Sequence, residues 1–178
     1  INNEQGGYIA GKYLVDLGHR RIGYIAGPNR LSLSAYRLTG FRRALEESGI
    51  SLLDDAYVQG DFQYSGGAKG MEELLRRGLN LSAVFAGNDQ MAVGAISVLK
   101  RNGLRVPEDI SIIGYDNIPL ASAMCPSLTT IAQPTAEMGR VSIEMLLERI
   151  KRREAEFAPR RVMLPVQLIE RESCQSLN

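Results

Sequence analysis

The chain has 178 residues, enough for one well-filled core or for one domain with a piece of another. Its 44% hydrophobic and 23% charged residues exclude the disordered and collagen-like classes. A net charge of +1 excludes a strongly basic nucleic-acid surface. The paired basic residues Arg20-Arg21, Arg42-Arg43, Arg76-Arg77 and Arg160-Arg161 are scattered, most of them beside Asp or Glu. They read as solvated faces, so direct DNA contact by this segment is not expected. Two cysteines, Cys125 and Cys174, make no CxxC spacing and no disulfide framework, and they fit a reducing compartment. No stretch approaches the roughly 18 apolar residues of a membrane span. The chain opens at Ile1-Asn2-Asn3 and runs almost at once into a helix, as expected of a cut piece of something longer.

In chain order, Ile9, Ala10, Tyr13, Leu14 and Leu17 form the apolar stripe of a first helix, stopped by Gly18. A strand follows over 21–26, then a Gly27-Pro28 turn. A second helix carries Leu38, Phe41, Ala44 and Leu45 and ends at Gly49. A short strand near 56–59 leads to Gly60-Asp61-Phe62, and a third helix with Met71, Leu74 and Leu75 stops at Gly78. Residues 81–86 read as a buried strand that breaks into a helix capped by Asn88 or Asp89 and ended by Gly103. Residues 110–115 form another buried strand, with Asp116-Asn117 at its carboxyl end. This alternation predicts a parallel α/β sheet with helices on both faces. Beyond residue 117 the rhythm changes. A short helix is expected over 119–124, a strand over 127–131 and a long amphipathic helix after Pro134, with Met138, Val141 and Met145 on one row and Ile143, Leu146 and Ile150 beside it. Residues 151–156 read as a loop or frayed end, and residues 162–169, interrupted by Pro165, as an edge strand.

Most catalytic chemistry lacks the residues it needs. Residues 6–13 (GGYIAGKY) nearly spell a P-loop, but Tyr13 stands where a Ser or Thr must reach the metal, and the glycines lie inside an amphipathic helix. No GxGxxG opens a βα unit. His19 is the sole histidine, without a GxSxG elbow, and its place after Gly18 suits bonding of helix-terminal carbonyls. One histidine and two distant cysteines build no zinc site. An enzyme is therefore not expected, and neither is a cofactor or a metal.

What remains are hydrogen-bonding residues near strand ends, where open α/β sheets bind ligands. Arg37, at the expected start of the second helix ahead of Leu38, carries a planar fork that can grip adjacent oxygens, although alone it also suits a surface salt bridge. Asp116 offers two acceptors. Asn88 and Gln133 each pair a donor with an acceptor, which suits alcohols, although Asn88 is equally served by a capping role. Phe62 offers an apolar face for a sugar ring, or a core side chain. Convergence at one end of the sheet would favour a binding site.

Five blocks carry a resemblance: residues 18–28 (GHRRIGYIAGP), 37–41 (RLTGF), 85–95 (FAGNDQMAVGA), 106–117 (VPEDISIIGYDN) and 126–134 (PSLTTIAQP). In this order they resemble the LacI/GalR family of bacterial transcriptional repressors over roughly residues 4–171. The resemblance implies a fold like a type I periplasmic binding protein, with an effector between two lobes, a cytoplasmic homodimer, and operator binding through an N-terminal helix-turn-helix domain absent here. It implies that residues 4–125 plus 160–171 form the C-terminal lobe, and that 128–152 belong to the otherwise missing N-terminal lobe. The helix in that segment would then expose an apolar face and fold back, swap with a second copy or become disordered. Residues 60–67 (GDFQYSGG) and 115–122 (YDNIPLAS) look most like ribose-operon repressors. The ribose-holding residues of related binding proteins match here as Arg37, Phe62, Asn88, Asp116 and Gln133. Purine-responsive relatives carry an Arg and a Thr where this chain has Leu31 and Leu33, which points to ribose or a similar pentose. The stretch around Ile118, Leu120 and Met124 resembles one that contributes to the family's dimer contact. A periplasmic sugar-binding protein of a transport system is the alternative.

Overall fold

The computed structural model describes residues 1–152 and 160–177. Its elements in chain order are α1 (Asn3–Asp16), β1 (Ile22–Ala26), α2 (Ser32–Glu46), β2 (Tyr57–Gln59), α3 (Tyr64–Arg76), β3 (Ala83–Ala86), α4 (Asp89–Arg101), β4 (Ser111–Asp116), α5 (Pro119–Ala123), β5 (Thr129–Ala132), α6 (Thr135–Arg152) and β6 (Gln167–Ile169). One six-stranded sheet has the order β2-β1-β3-β4-β5-β6, parallel throughout except for antiparallel β6 at the edge. The α/β fold class, with helices on both faces, is that expected from the alternation of elements.

Side chains alternate across the sheet, as the period of two requires. Tyr24, Ala26, Phe85, Ile113 and Tyr115 meet Ala10 and Leu14 of α1 and Phe41 and Leu45 of α2. Ile25, Val84, Ala86 and Ile112 meet Met71 and Leu74 of α3 and Ala92, Ile96 and Leu99 of α4. Tyr24 stacks on Phe85 at 4.9 Å between ring centroids, with Phe41 tilted against both. Each such buried side chain contributes roughly 1.5–3 kcal/mol through removal of apolar surface from water.

The glycines of the near-P-loop lie within continuous α1 and let two helices touch. A Cβ at Gly7 would sit 2.0 Å from the Arg37 carbonyl oxygen, and one at Gly40 of α2 would sit 1.8 Å from that of Glu4. His19 differs in detail from the expectation. Its backbone N–H, not its ring, closes α1 by donating to the Leu14 carbonyl at 3.1 Å. The buried imidazole instead joins Ser82 Oγ at 3.0 Å and the Gln175 carbonyl at 3.1 Å.

Three further expectations need correction. Helix α2 begins at Ser32, so Arg37 sits in its second turn rather than at its start. The strand expected near 127–131 within the other lobe is β5 of this same sheet, paired in parallel with β4 and antiparallel with β6. Residues 151–152 continue α6 rather than forming a loop, while 153–156 lie outside the described residues. Ile143, Leu146, Leu147 and Ile150 of α6 are 59, 57, 49 and 62% exposed.

Candidate functional site

The carboxyl ends of β1, β2, β3, β4 and β5 lead into Gly27, Gly60-Asp61-Phe62, Gly87-Asn88, Asp116 and Gln133. The chain reverses direction across the sheet between β1 and β3, with β2 on one side and β4 on the other. Such a switch point opens a crevice outside the strand ends, where ligands of open α/β sheets sit.

Arg37 projects from α2 over this crevice and is only 3% exposed. Its guanidinium lies on the Tyr115 ring at 3.5 Å from the centroid and 5.7 Å from that of Phe62. Its Nη1 donates to the Gly87 carbonyl at 2.5 Å, Nε donates to Asn3 Oδ1 at 2.9 Å, and Nη2 reaches Asp116 Oδ1 at 3.5 Å. These fixed partners keep a long side chain in one rotamer, the preorganisation that a binding group needs. Tyr115 is buried, and burial pushes its phenol above the ordinary value, so the ring is a neutral platform.

Asp116 ends β4 with φ at 110°, followed by Asn117 at 55°. These backbone angles are uncommon for residues other than glycine and turn the Asp116 carboxylate toward Arg37 and Gln133. Gln133 Nε2 donates to Asp116 Oδ1. Burial pushes the Asp116 carboxyl up, while Arg37 and the Gln133 hydrogen bond pull it back. Among the described residues no donor reaches Oδ2, which leaves it to accept from an incoming hydroxyl.

Phe62 also has a positive φ, 67°, and its ring covers Gly27, where a Cβ would sit 2.0 Å from Cζ. Asn88 performs the capping role: Oδ1 accepts from the Met91 N–H at 2.9 Å, and Nδ2 donates to the Phe62 carbonyl at 3.0 Å. The second Nδ2 hydrogen is not needed for either bond. The five residues singled out in the sequence thus form one connected group: Asn88 to Phe62, Phe62 to Arg37, Arg37 to Asp116, Asp116 to Gln133. The combination of an aromatic face, a guanidinium, a carboxylate and two amides can hold a small polyhydroxylated molecule.

Sequence reasoning did not reach Asn3, the Gly87 carbonyl or the Tyr115 platform. Asp89, weighed in the sequence only as a helix cap, is instead the first residue of α4 and fully buried, and its carboxyl is pushed up to about 6, mainly by burial. Adjacent Asn88-Asp89 and Asp116-Asn117 at two strand ends were the available signal. Of the stretch beyond Asp116, Leu120 is 46% exposed, while Ile118 and Met124 are half-buried and Met124 packs on the core beneath α4. Among the described residues no His, Cys, Asp and Glu cluster suits a metal, and no helix is long and apolar enough to cross a membrane.

An open parallel α/β sheet with a hydrogen-bonding site at its strand ends defines a small-molecule-binding domain. Residues 12–174 match the periplasmic binding protein-like domain family, and the chain belongs to it. Its relatives are transcriptional regulators. The HTH-type transcriptional repressor PurR of Klebsiella pneumoniae is 45% identical over 97% of this chain and 50% of its own. PurR of Escherichia coli O1:K1 is 44% identical over the same shares. The chain spans about half the length of these relatives. Among solved structures, a complex of the transcriptional regulator CelR with cellobiose superposes with a TM-score of 0.91 at 40% identity, over 97% of this chain and 52% of CelR. A LacI-family regulator from Enterococcus faecium with bound ribose gives 0.87 at 38% identity, over 99% and 65%.

Proposed function

We propose that this chain is the carboxyl-terminal part of the effector-binding core of a LacI-family transcriptional regulator, and that its effector is a sugar, ribose or a similar pentose. The observation that carries the reading is the single connected group of Arg37, Phe62, Asn88, Asp116 and Gln133 at the strand ends. The ribose-bound and cellobiose-bound relatives support a sugar as the ligand class. Asp116 accepts from sugar hydroxyls, Arg37 and the two amides donate, and the Phe62 ring covers the C–H face. None of these residues does chemistry on the ligand; the protein is a switch and not an enzyme.

In this reading a second lobe, beyond the present chain, closes on the ligand and receives α6 against its own sheet, which buries Ile143, Leu146 and Ile150. The effector shifts the balance between open and closed states by the difference in its affinity for the two. Leu120, with Ile118 and Met124 beneath it, contributes to the contact between two copies. The closed dimer alters operator binding by an N-terminal helix-turn-helix domain in the cytoplasm.

The test is calorimetric titration of the full-length protein with ribose, comparing wild type with Arg37→Ala, Asp116→Ala and Gln133→Ala. Loss of binding in the first two, with about tenfold weakening in the half-buried Gln133→Ala, is the expected result, since each removes a hydrogen bond involving a charged group. Full affinity in a folded Asp116→Ala protein would remove the site.

A further inference from the structure

We propose that Asp89 positions Asp116 for its ligand and ties that carboxylate to the 118–124 segment, so that contact at Asp116 and the placement of α5 change together. The proposal rests on the effector-site reading, in which Asp116 touches ligand and Asp89 does not.

An acid in the first turn of a helix ordinarily faces the free N–H groups there. At α4 that role is taken by Asn88, which caps the Met91 N–H. Asp89 turns inward instead, and both of its oxygens serve the turn between β4 and α5. Oδ2 accepts from the Ile118 N–H at 2.8 Å, and Oδ1 accepts from the Thr130 hydroxyl at 2.6 Å. Thr130 Oγ1 in turn accepts from the Asn117 N–H at 3.3 Å. The two amides that follow Asp116 are therefore both held, one directly and one through β5.

The sheet is shaped for this carboxylate. A Cβ at Gly114 of β4 would lie 2.3 Å from Asp89 Oδ1, so any larger residue there would push the acid away. On the outer side Arg171 donates to Asn117 Oδ1 and to the Leu128 carbonyl, each at 2.7 Å. Burying a carboxylate is unfavourable unless it is fully hydrogen-bonded. Asp89 meets that condition through Thr130 of β5 and through the Ile118 amide of the turn that carries Asp116 at a φ of 110° and Asn117 at 55°. Left untethered, such a turn relaxes toward negative φ and swings the Asp116 side chain off its line to Arg37 and Gln133.

The experiment measures hydrogen exchange of peptides covering 114–124 in the full-length protein, with and without ribose, alongside ribose affinity and melting temperature. Wild type is compared with Asp89→Asn, Thr130→Val and the hydroxyl-retaining Thr130→Ser. In ligand-free Asp89→Asn and Thr130→Val, exchange over 114–124 is expected to rise more than elsewhere. Ribose affinity should fall on the order of tenfold in both. Ribose should slow exchange over 118–124 in wild type but not in these two variants, while Thr130→Ser behaves as wild type. A purely structural role would lower the melting temperature and raise exchange evenly, with the affinity of the folded protein intact; that result, or unchanged exchange over 114–124, overturns the proposal. If Asp89→Asn fails to fold, Thr130→Val against Thr130→Ser decides alone. If no sugar binds wild type, the effector reading fails, while the ligand-free exchange pattern still decides whether Asp89 holds the turn.

Discussion

Arg37 shows how one side chain serves both fold and site. Its guanidinium is sandwiched on Tyr115 and donates to the Gly87 carbonyl, so Arg37→Ala leaves a buried acceptor without its donor, at a cost of about 1–3 kcal/mol. Chemical denaturation should show that loss separately from the loss of binding. Asp89 carries a second residue-scale prediction. Its folded-state pKa, about 6, lies above the ordinary aspartate value of 3.8, so between these values the folded chain holds a proton the unfolded chain has released. Stability contributed by that proton is present below about pH 4, is lost as pH rises through 6, and amounts to roughly 2–3 kcal/mol. Buried His19 runs the opposite way: its pKa is lowered by burial, so its neutral form loses stability as pH falls below the ordinary imidazole value. The difference between wild type and Asp89→Asn isolates the first effect. The denaturant midpoint of Asp89→Asn should rise relative to that of wild type between pH 4.5 and 6.5; a gap between the two proteins that stays the same at both pH values contradicts the assignment.

At the scale of elements, the central strands and the α1–α4 alternation were legible because period-two and helical apolar patterns are local and Gly18, Gly49, Gly78 and Gly103 end the four helices with positive φ. Phe62, Asn88, Asp116 and Gln133 were legible as residue types near strand ends, and Arg37 as one on a neighbouring helix. Their joining was not, since Arg37 meets Asp116 across 79 positions of chain. The packing role of the α1 glycines was hidden for the same reason: their partner, α2, is identified only by packing. Gly7→Ala should drive its methyl into the Arg37 backbone and separate α1 from α2, with about 1–3 kcal/mol lost in denaturation. The substitution also displaces Arg37, so ribose affinity should fall with stability. A variant of wild-type stability would show that the helices part without strain. Strand β5 was legible as a strand but its sheet was not, because a four-residue strand between a Pro126 turn and Pro134 carries no mark of which sheet it joins.

The whole molecule is a complete sheet carrying an incomplete set of surfaces. Its core is filled on both faces, while α6 leaves four large apolar side chains in water and α5 presents Leu120. Exposed apolar faces of this kind mark contacts with other protein surfaces. Leu120→Glu in the full-length protein should give monomers in sedimentation without altering the core, because Leu120 is exposed whereas Met124 partly supports α4. An unchanged dimer would place the contact elsewhere. The claim on which the account stands is that the strand-end group binds a pentose. It is tested most directly by titrating the full-length wild-type protein in a calorimeter with ribose, other pentoses, hexoses and purines in turn. Saturable heat with ribose, weaker heat with the other pentoses, and none with purines is the predicted result. Tight binding of a purine, with none of ribose, would contradict it.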